Sequence, residues 1–126
     1  MLGPLVSVAA GGAIGATLRY LAGVGIVRLI GHSSFPVAII FVNVLGSFLM
    51  GAFVVLAAHR GLTHLSPFVM TGLLGGFTTF SAFSLEAMTL YERGAVGQAA
   101  LYVGISVVAS ILALVAGMWA ARSLLV

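Results

Sequence analysis

The sequence has no cysteine, no lysine and no aspartate, and only two of its 126 residues are acidic, Glu86 and Glu92. Each absence closes a class of chemistry. Without cysteine there is no disulfide, thiolate nucleophile or thiolate metal site. There is no Ser-His-Asp set, no catalytic carboxylate pair and no phosphate-binding loop, so nothing points to an enzyme. His32, His59 and His64 fall in or near expected loops without metal-ligand spacing, and read as interfacial. Five arginines against two glutamates give a formal charge of +3. They are scattered singly, so no cluster can neutralise neighbouring phosphates, and nucleic acid is excluded as a partner.

What remains is apolar. Hydrophobic residues make up 62% of the chain and charged ones 6%, with a mean hydropathy of +1.29. A water-soluble domain of this size exposes most of its surface and needs far more charge. Its outer surface must therefore face lipid. A bilayer core takes roughly 20 apolar residues per helix, so four spans nearly exhaust the chain. The expectation is an all-α membrane protein, a single transmembrane domain over 1–126 and no extramembrane domain. The N-terminal apolar stretch is expected to be retained rather than cleaved, because no Lys or Arg precedes it and its apolar character runs past residue 30.

Breakers and charges divide the four spans. The first covers about 3–30. Gly31-His32-Ser33-Ser34-Phe35-Pro36 is a turn, with Ser34 expected as N-cap and Pro36 in the first helical turn of a span over 36–58. His59-Arg60-Gly61 closes it, and Ser66-Pro67 opens the third span, 66–93. That span is interrupted by Gly72-Leu73-Leu74-Gly75-Gly76-Phe77-Thr78-Thr79, poor helix material, and a break is expected near 75–79. Non-helical backbone at membrane depth survives only inside protein or beside a polar cavity, which makes the break a functional pointer. A glycine-rich packing face is the competing reading. Gly94 ends the third span and a fourth covers 95–122.

With four spans, Arg60 and Arg122 share one side of the membrane, and Arg28 and Arg93 the other. Orientation follows an excess of positive charge on one side, and here there is none. Both orientations, and with them an antiparallel dimer, are expected.

Several side chains stand out in these spans. Asn43, Ser47 and Gly51 recur every four residues and share a face. Small residues there allow close helix contact, and the Asn43 amide donates two hydrogen bonds, either as interhelical glue or toward a ligand. Tyr102, Ser106 and Ser110 form a stripe of hydroxyls about 6 Å apart along an otherwise aliphatic helix, although serine in membrane helices often bonds its own backbone. Phe80 and Phe83 are neighbours on a helix face. They suit lipid or core, or, through the positive edges of their rings, a dehydrated anion. Glu86, one turn on, is a functional candidate or an ion-paired, headgroup-level residue.

Taken together, Gly11-Gly12-Ala13-Ile14-Gly15-Ala16-Thr17-Leu18-Arg19-Tyr20, Val42-Asn43 with Gly46-Ser47-Phe48, and Gly72 through Ser84 resemble the Fluc (CrcB) fluoride channel family, a likeness that spans the chain. The resemblance implies an antiparallel, dual-topology homodimer in the bacterial inner membrane with two fluoride pathways. By motif, Phe80 and Phe83 resemble the family's ion-lining phenylalanines, Asn43 its pore asparagine, and Tyr102, Ser106 and Ser110 its polar track. The backbone at Gly75 and Thr78, from both subunits, resembles its central structural sodium site. Arg19, Thr79 and Glu86 are further candidates. The chain departs from the pattern at Ile39, Ala82 and Leu114, where threonine is common. At Ile39 and Leu114 the lost hydroxyl points to lower conductance.

These residue types suit fluoride. The idealised cost of moving a carboxylate-sized ion into a low-dielectric medium is on the order of 20 kcal/mol, and fluoride is smaller. A hydrogen bond to a charged group returns a net of roughly 1.5–3 kcal/mol, so a relay of closely spaced donors is required. A fixed cation at mid-pore would hold the anion too tightly to release it. Two alternatives compete: a proton-coupled exporter resembling small multidrug-resistance proteins, in which Glu86 would have to carry the proton, and a non-conducting assembly subunit.

Overall fold

In a computed structural model that describes residues 1–125, four helices are long and apolar enough to cross a membrane: Leu2–Ile30, Val37–Arg60, Thr63–Glu92 and Val96–Leu124. The first is α1 (Leu2–Ile30) and the second α2 (Val37–Arg60). The third is composite. A 3₁₀ turn over Thr63–Leu65 leads into a π-helical segment, Pro67–Leu74, and one α-turn, α3 (Gly75–Phe77). Then comes α4 (Phe80–Glu92), and α5 (Val96–Leu124) is the last span.

Gly31, Gly61 and Gly94 hold positive φ at the three inter-span turns, a backbone that glycine adopts without the penalty a Cβ brings, and Gly61 ends α2 in the left-handed helical conformation. Helix entry differs from expectation. Pro36 occupies the N-cap of α2 instead of its first turn, and Ser33, not Ser34, bonds locally, its Oγ accepting from the Phe35 N–H at 3.2 Å. Pro67 opens the π-helical segment as expected. Ser66 makes no side-chain cap, because its backbone (φ −57°, ψ −41°) is already helical after the 3₁₀ turn.

The break is shorter than expected. The backbone stays helical through Gly75, Gly76 and Phe77 and leaves the helix only at Thr78 and Thr79, both extended. The glycines serve a second purpose, close packing. A Cβ on Gly11 would meet the Phe68 carbonyl, one on Gly15 the Leu73 carbonyl, and one on Gly76 the Gly12 carbonyl. α1 therefore lies backbone-to-backbone and parallel with the first half of the third span. Such contact is how helices associate in lipid, where apolar burial offers no gain.

α2 and α5 make a second parallel pair. A Cβ on Gly51 would meet the Leu114 carbonyl, and one on Gly117 the Phe48 carbonyl. α4 crosses onto α5 through a small core of Phe83, Leu90, Ala99 and Tyr102, with Phe35, Ile39 and Ile40 packed against it. Most large aliphatic side chains on α1 and α5 are exposed, as a lipid-facing surface requires.

Candidate functional site

The break at Thr78 and Thr79 is held from α2. Asn43 Nδ2 donates to the Thr79 carbonyl (3.0 Å), and the Thr79 N–H donates to Asn43 Oδ1 (2.8 Å). This reciprocal pair fixes the amide's orientation. It occupies one Nδ2 hydrogen and leaves the other for a ligand. Thr79 also caps α4, its Oγ1 accepting from the Ala82 N–H at 3.1 Å.

Those two bonds have a consequence for the carbonyls. In a continuous helix the Thr79 N–H would serve Gly75 and the Ala82 N–H would serve Thr78. Both donors are diverted, to Asn43 Oδ1 and Thr79 Oγ1, so the Gly75 and Thr78 carbonyls lose their helical partners. The Gly76 carbonyl is taken by Arg19, whose Nε donates at 3.1 Å. Gly75 is exposed. Carbonyl oxygens of this kind suit a hard cation. Among the described residues there is no His, Asp or Glu cluster that would hold a metal by side chains.

Beside the break, α2, α4 and α5 enclose a groove of about 370 Å³ lined by Asn43, Ser47, Met50, Thr78, Thr79, Phe80, Phe83, Ser106, Ser110 and Leu114, among others. Five of the six residues expected on an ion path meet here. The sixth, Tyr102, is fully buried next to the groove wall, its ring 5.3 Å from that of Phe83 and 5.7 Å edge-on from that of Phe35. Phe83 is 9% exposed and Phe80 78%, with ring centroids 5.4 Å apart. One ring thus faces inward, and the other stands at the open mouth. No charged side chain lines this groove.

The hydroxyls of Tyr102 and Ser106 are buried without a hydrogen-bond partner among the described residues. A buried unpaired hydroxyl costs about 1–3 kcal/mol, so two of them on residues one turn apart on α5 call for a ligand. Elsewhere the chain avoids that cost: Thr17, Thr78, Ser84 and Thr89 each donate to the carbonyl four residues back.

The other candidates lie apart. Arg19 faces a second cavity on the opposite side of the break, with Tyr20, Arg28, Ile39 and Ala82. Two of the three departures from the family pattern, Ile39 and Ala82, therefore flank that cavity, whereas Leu114 lines the groove. Glu86 is half-buried on α4 and lines neither. The Thr79–Asn43 pairing has no local sequence signal, whereas the groove position of Ser47 follows from its four-residue spacing from Asn43.

Fold and site together define a multi-pass helical membrane protein with a hydrogen-bond-donating groove along one helix pair. The chain belongs to the family of CrcB-like proteins, Camphor Resistance (CrcB), whose profile matches residues 6–118. It is 70% identical over 125 residues to the fluoride-specific ion channel FluC of Ruegeria sp. (strain TM1040), covering 99% of each chain. It is 69% identical to the protein of the same name from Roseobacter denitrificans (strain ATCC 33942 / OCh 114), covering 94% of each, and 60% identical to that of Cereibacter sphaeroides (strain ATCC 17029 / ATH 2.4.9), covering 97% of each.

Proposed function

We propose that the chain is a fluoride-selective channel through which fluoride leaves the cell passively, working as an antiparallel homodimer in the bacterial inner membrane. The observation that carries this reading is the pair of buried, unpartnered hydroxyls on Tyr102 and Ser106, beside a groove that offers donors and no fixed positive charge. Fluoride moves along Asn43, the ring edges of Phe80 and Phe83, and the hydroxyls of Tyr102, Ser106 and Ser110, each releasing it to the next. Close contacts favour the smallest halide. The names of the relatives agree.

Support for the dimer is physical. Phe80 is 78% exposed at the groove mouth and Gly75 is exposed next to the break, so a second copy placed there would cover both. Arginine is balanced between the two ends. Arg122 and His59 line one cavity, which puts the C-termini of α2 and α5 on one side, opposite Arg28 and Arg93. The freed carbonyls of Gly75 and Thr78, contributed by both copies, fit a structural sodium ion that would join the subunits.

Glu86 does not line the groove, although it lies near enough to the buried Tyr102 hydroxyl for its charge to be felt there. The test is to purify and reconstitute the chain, then follow fluoride against chloride release from liposomes. Fast fluoride and negligible chloride efflux is expected, with Phe83→Ala slowing fluoride at least ten-fold while the dimer persists. A wild-type chain that releases no fluoride would leave the assembly-subunit reading standing.

A further inference from the structure

Along α5 the hydroxyl stripe stops at Ser110, because the next residue on that face is Leu114, and both line the groove. The opposite wall continues differently. α2 carries Asn43 and, one turn further, Ser47, and both line the same groove. The close contacts set the level of one wall against the other. A Cβ on Gly51 would lie between the Leu114 carbonyl and the Met118 N–H, so Gly51 stands level with the Leu114–Met118 turn. The two helices are parallel. Ser47, four residues before Gly51, therefore stands level with the Ser110–Leu114 turn, where α5 goes from hydroxyl to aliphatic.

The Ser47 hydroxyl also has no hydrogen-bond partner among the described residues. Asn43 stands four residues before it, yet Ser47 does not donate to the Asn43 carbonyl in the way that Thr17, Thr78, Ser84 and Thr89 bond back along their helices. Ser7 and Thr71 lack such a bond too, so the free hydroxyl alone defines nothing. What separates Ser47 is that its hydroxyl stands in a donor-lined groove at the level where the facing wall runs out of donors.

We propose that Ser47 is a fluoride-binding residue of the pathway, receiving the anion from Ser110 and carrying it past Leu114, so that the donor relay changes helix from α5 to α2. The inference rests on the channel reading and extends it to a residue in the seam of small α2 side chains. Its chemistry is that of a hydroxyl donating to a bare halide. Past Ser110 the α5 wall offers only Ile111 and Leu114 to the groove and the α2 wall Met50, so with Ser47 removed neither wall carries a hydroxyl at that level.

The experiment compares fluoride efflux from liposomes holding wild-type chain, Ser47→Ala and the double variant Ser47→Ala with Leu114→Ser, each checked as a dimer by size exclusion. Ser47→Ala should slow fluoride about ten-fold or more, the loss expected for one hydrogen bond to an ion. Leu114→Ser in that background returns a hydroxyl to the same level from the other wall, and should recover most of the rate. A wild-type rate in Ser47→Ala overturns the proposal. So does a slow rate that Leu114→Ser fails to raise, since Ser47 would then act through packing. Absence of fluoride flux in the wild-type chain would instead defeat the channel reading itself.

Discussion

Two seams hold this chain together, and glycine builds both, yet only one of them is closed. Between α1 and the first half of the third span, Gly11, Gly15, Gly72 and Gly76 bring backbones into contact along the whole seam. Between α2 and α5, Gly51 and Gly117 close the C-terminal part in the same manner. Toward their N-terminal halves these helices carry side chains instead, Asn43 and Ser47 facing Ser106 and Ser110, and the groove opens there. Small residues thus act as a zip and hydroxyl residues as the gap in it. The difference is one of size first and chemistry second: a hydroxymethyl group holds the helices apart, and its oxygen then wets or binds what enters.

The largest way to break this contrast is to fill the closed seam. Gly15→Val places branched carbon against the Leu73 carbonyl and the Phe77 N–H, which are backbone and cannot rotate away. Overpacking of ordinary core side chains costs about 1–3 kcal/mol, and a clash with backbone lies at the upper end or beyond. The expected outcome is loss of folded protein, read as absence of a monodisperse peak after detergent extraction. A normal yield of well-behaved Gly15→Val would mean that α1 can leave the seam, and that the seam does not position the break.

How much of this could be read from residues alone follows the range of each interaction. The spans and their ends are local: apolar length, and a glycine at each turn, placed all four helices within a few residues. The α5 stripe is also local, because three hydroxyls at four-residue spacing share a face whatever the partner. The third span was harder. Its glycines and threonines read either as a break or as a packing face, because a glycine's effect depends on what lies opposite, and α1 stands opposite Gly72 and Gly76. Only Thr78 and Thr79, with Asn43 taking the bonds, leave the helix. Phe80 and Phe83 seemed equivalent from spacing. They differ because Phe80 begins α4 at the open mouth, whereas Phe83 reaches the core beside Tyr102. The proline at 36 shows the same limit, since the preceding turn decided whether it would cap α2 or enter it.

Next in size is an attack on the open seam. Asn43→Ala removes the acceptor of the Thr79 N–H and the donor to its carbonyl, as well as the free amide hydrogen in the groove. Two effects are expected. Leaving a half-buried backbone group unpaired costs about 1–3 kcal/mol, visible as a lower thermal midpoint in detergent. Fluoride efflux should fall about 100-fold, because the pathway loses a donor and the two bonds that hold the Thr79 backbone just ahead of Phe80 and Phe83. Asn43→Asp sharpens the point. It keeps an acceptor for the Thr79 N–H but sets a negative charge in the groove, so stability should recover in part while fluoride flux stays low. Equal flux in wild type and Asn43→Asp would separate Asn43 from the ion.

A smaller effect is expected at Arg19, whose Nε–H···O bond to Gly76 ties α1 to the end of the closed seam. Arg19→Lys keeps the charge but not the planar donor. It should lower the thermal midpoint by a few degrees at most and slow fluoride less than three-fold, a ratio set by how firmly α3 holds the freed Gly75 carbonyl in place. A loss as large as that of Asn43→Ala would move Arg19 from the frame into the pathway.

The smallest expected effect is at a glycine outside both seams. Gly104 lies on α5 between Tyr102 and Ser106, two residues from each, and so points to the far side of the helix from the groove. A Cβ there would meet nothing within 4 Å. Gly104→Ala should leave fluoride efflux unchanged and leave stability equal or slightly raised, since alanine is favoured over glycine in a helix by up to about 1 kcal/mol. The value of this variant lies in its contrast with Gly15, because the same class of substitution is then fatal in a seam and silent on the lipid face. If Gly104→Ala instead split the proposed dimer, that face of α5 would be a subunit contact, and the second copy would have to sit behind α5 and not over Phe80 and the break. Size exclusion in detergent, with subunit mass from light scattering, decides between the two placements.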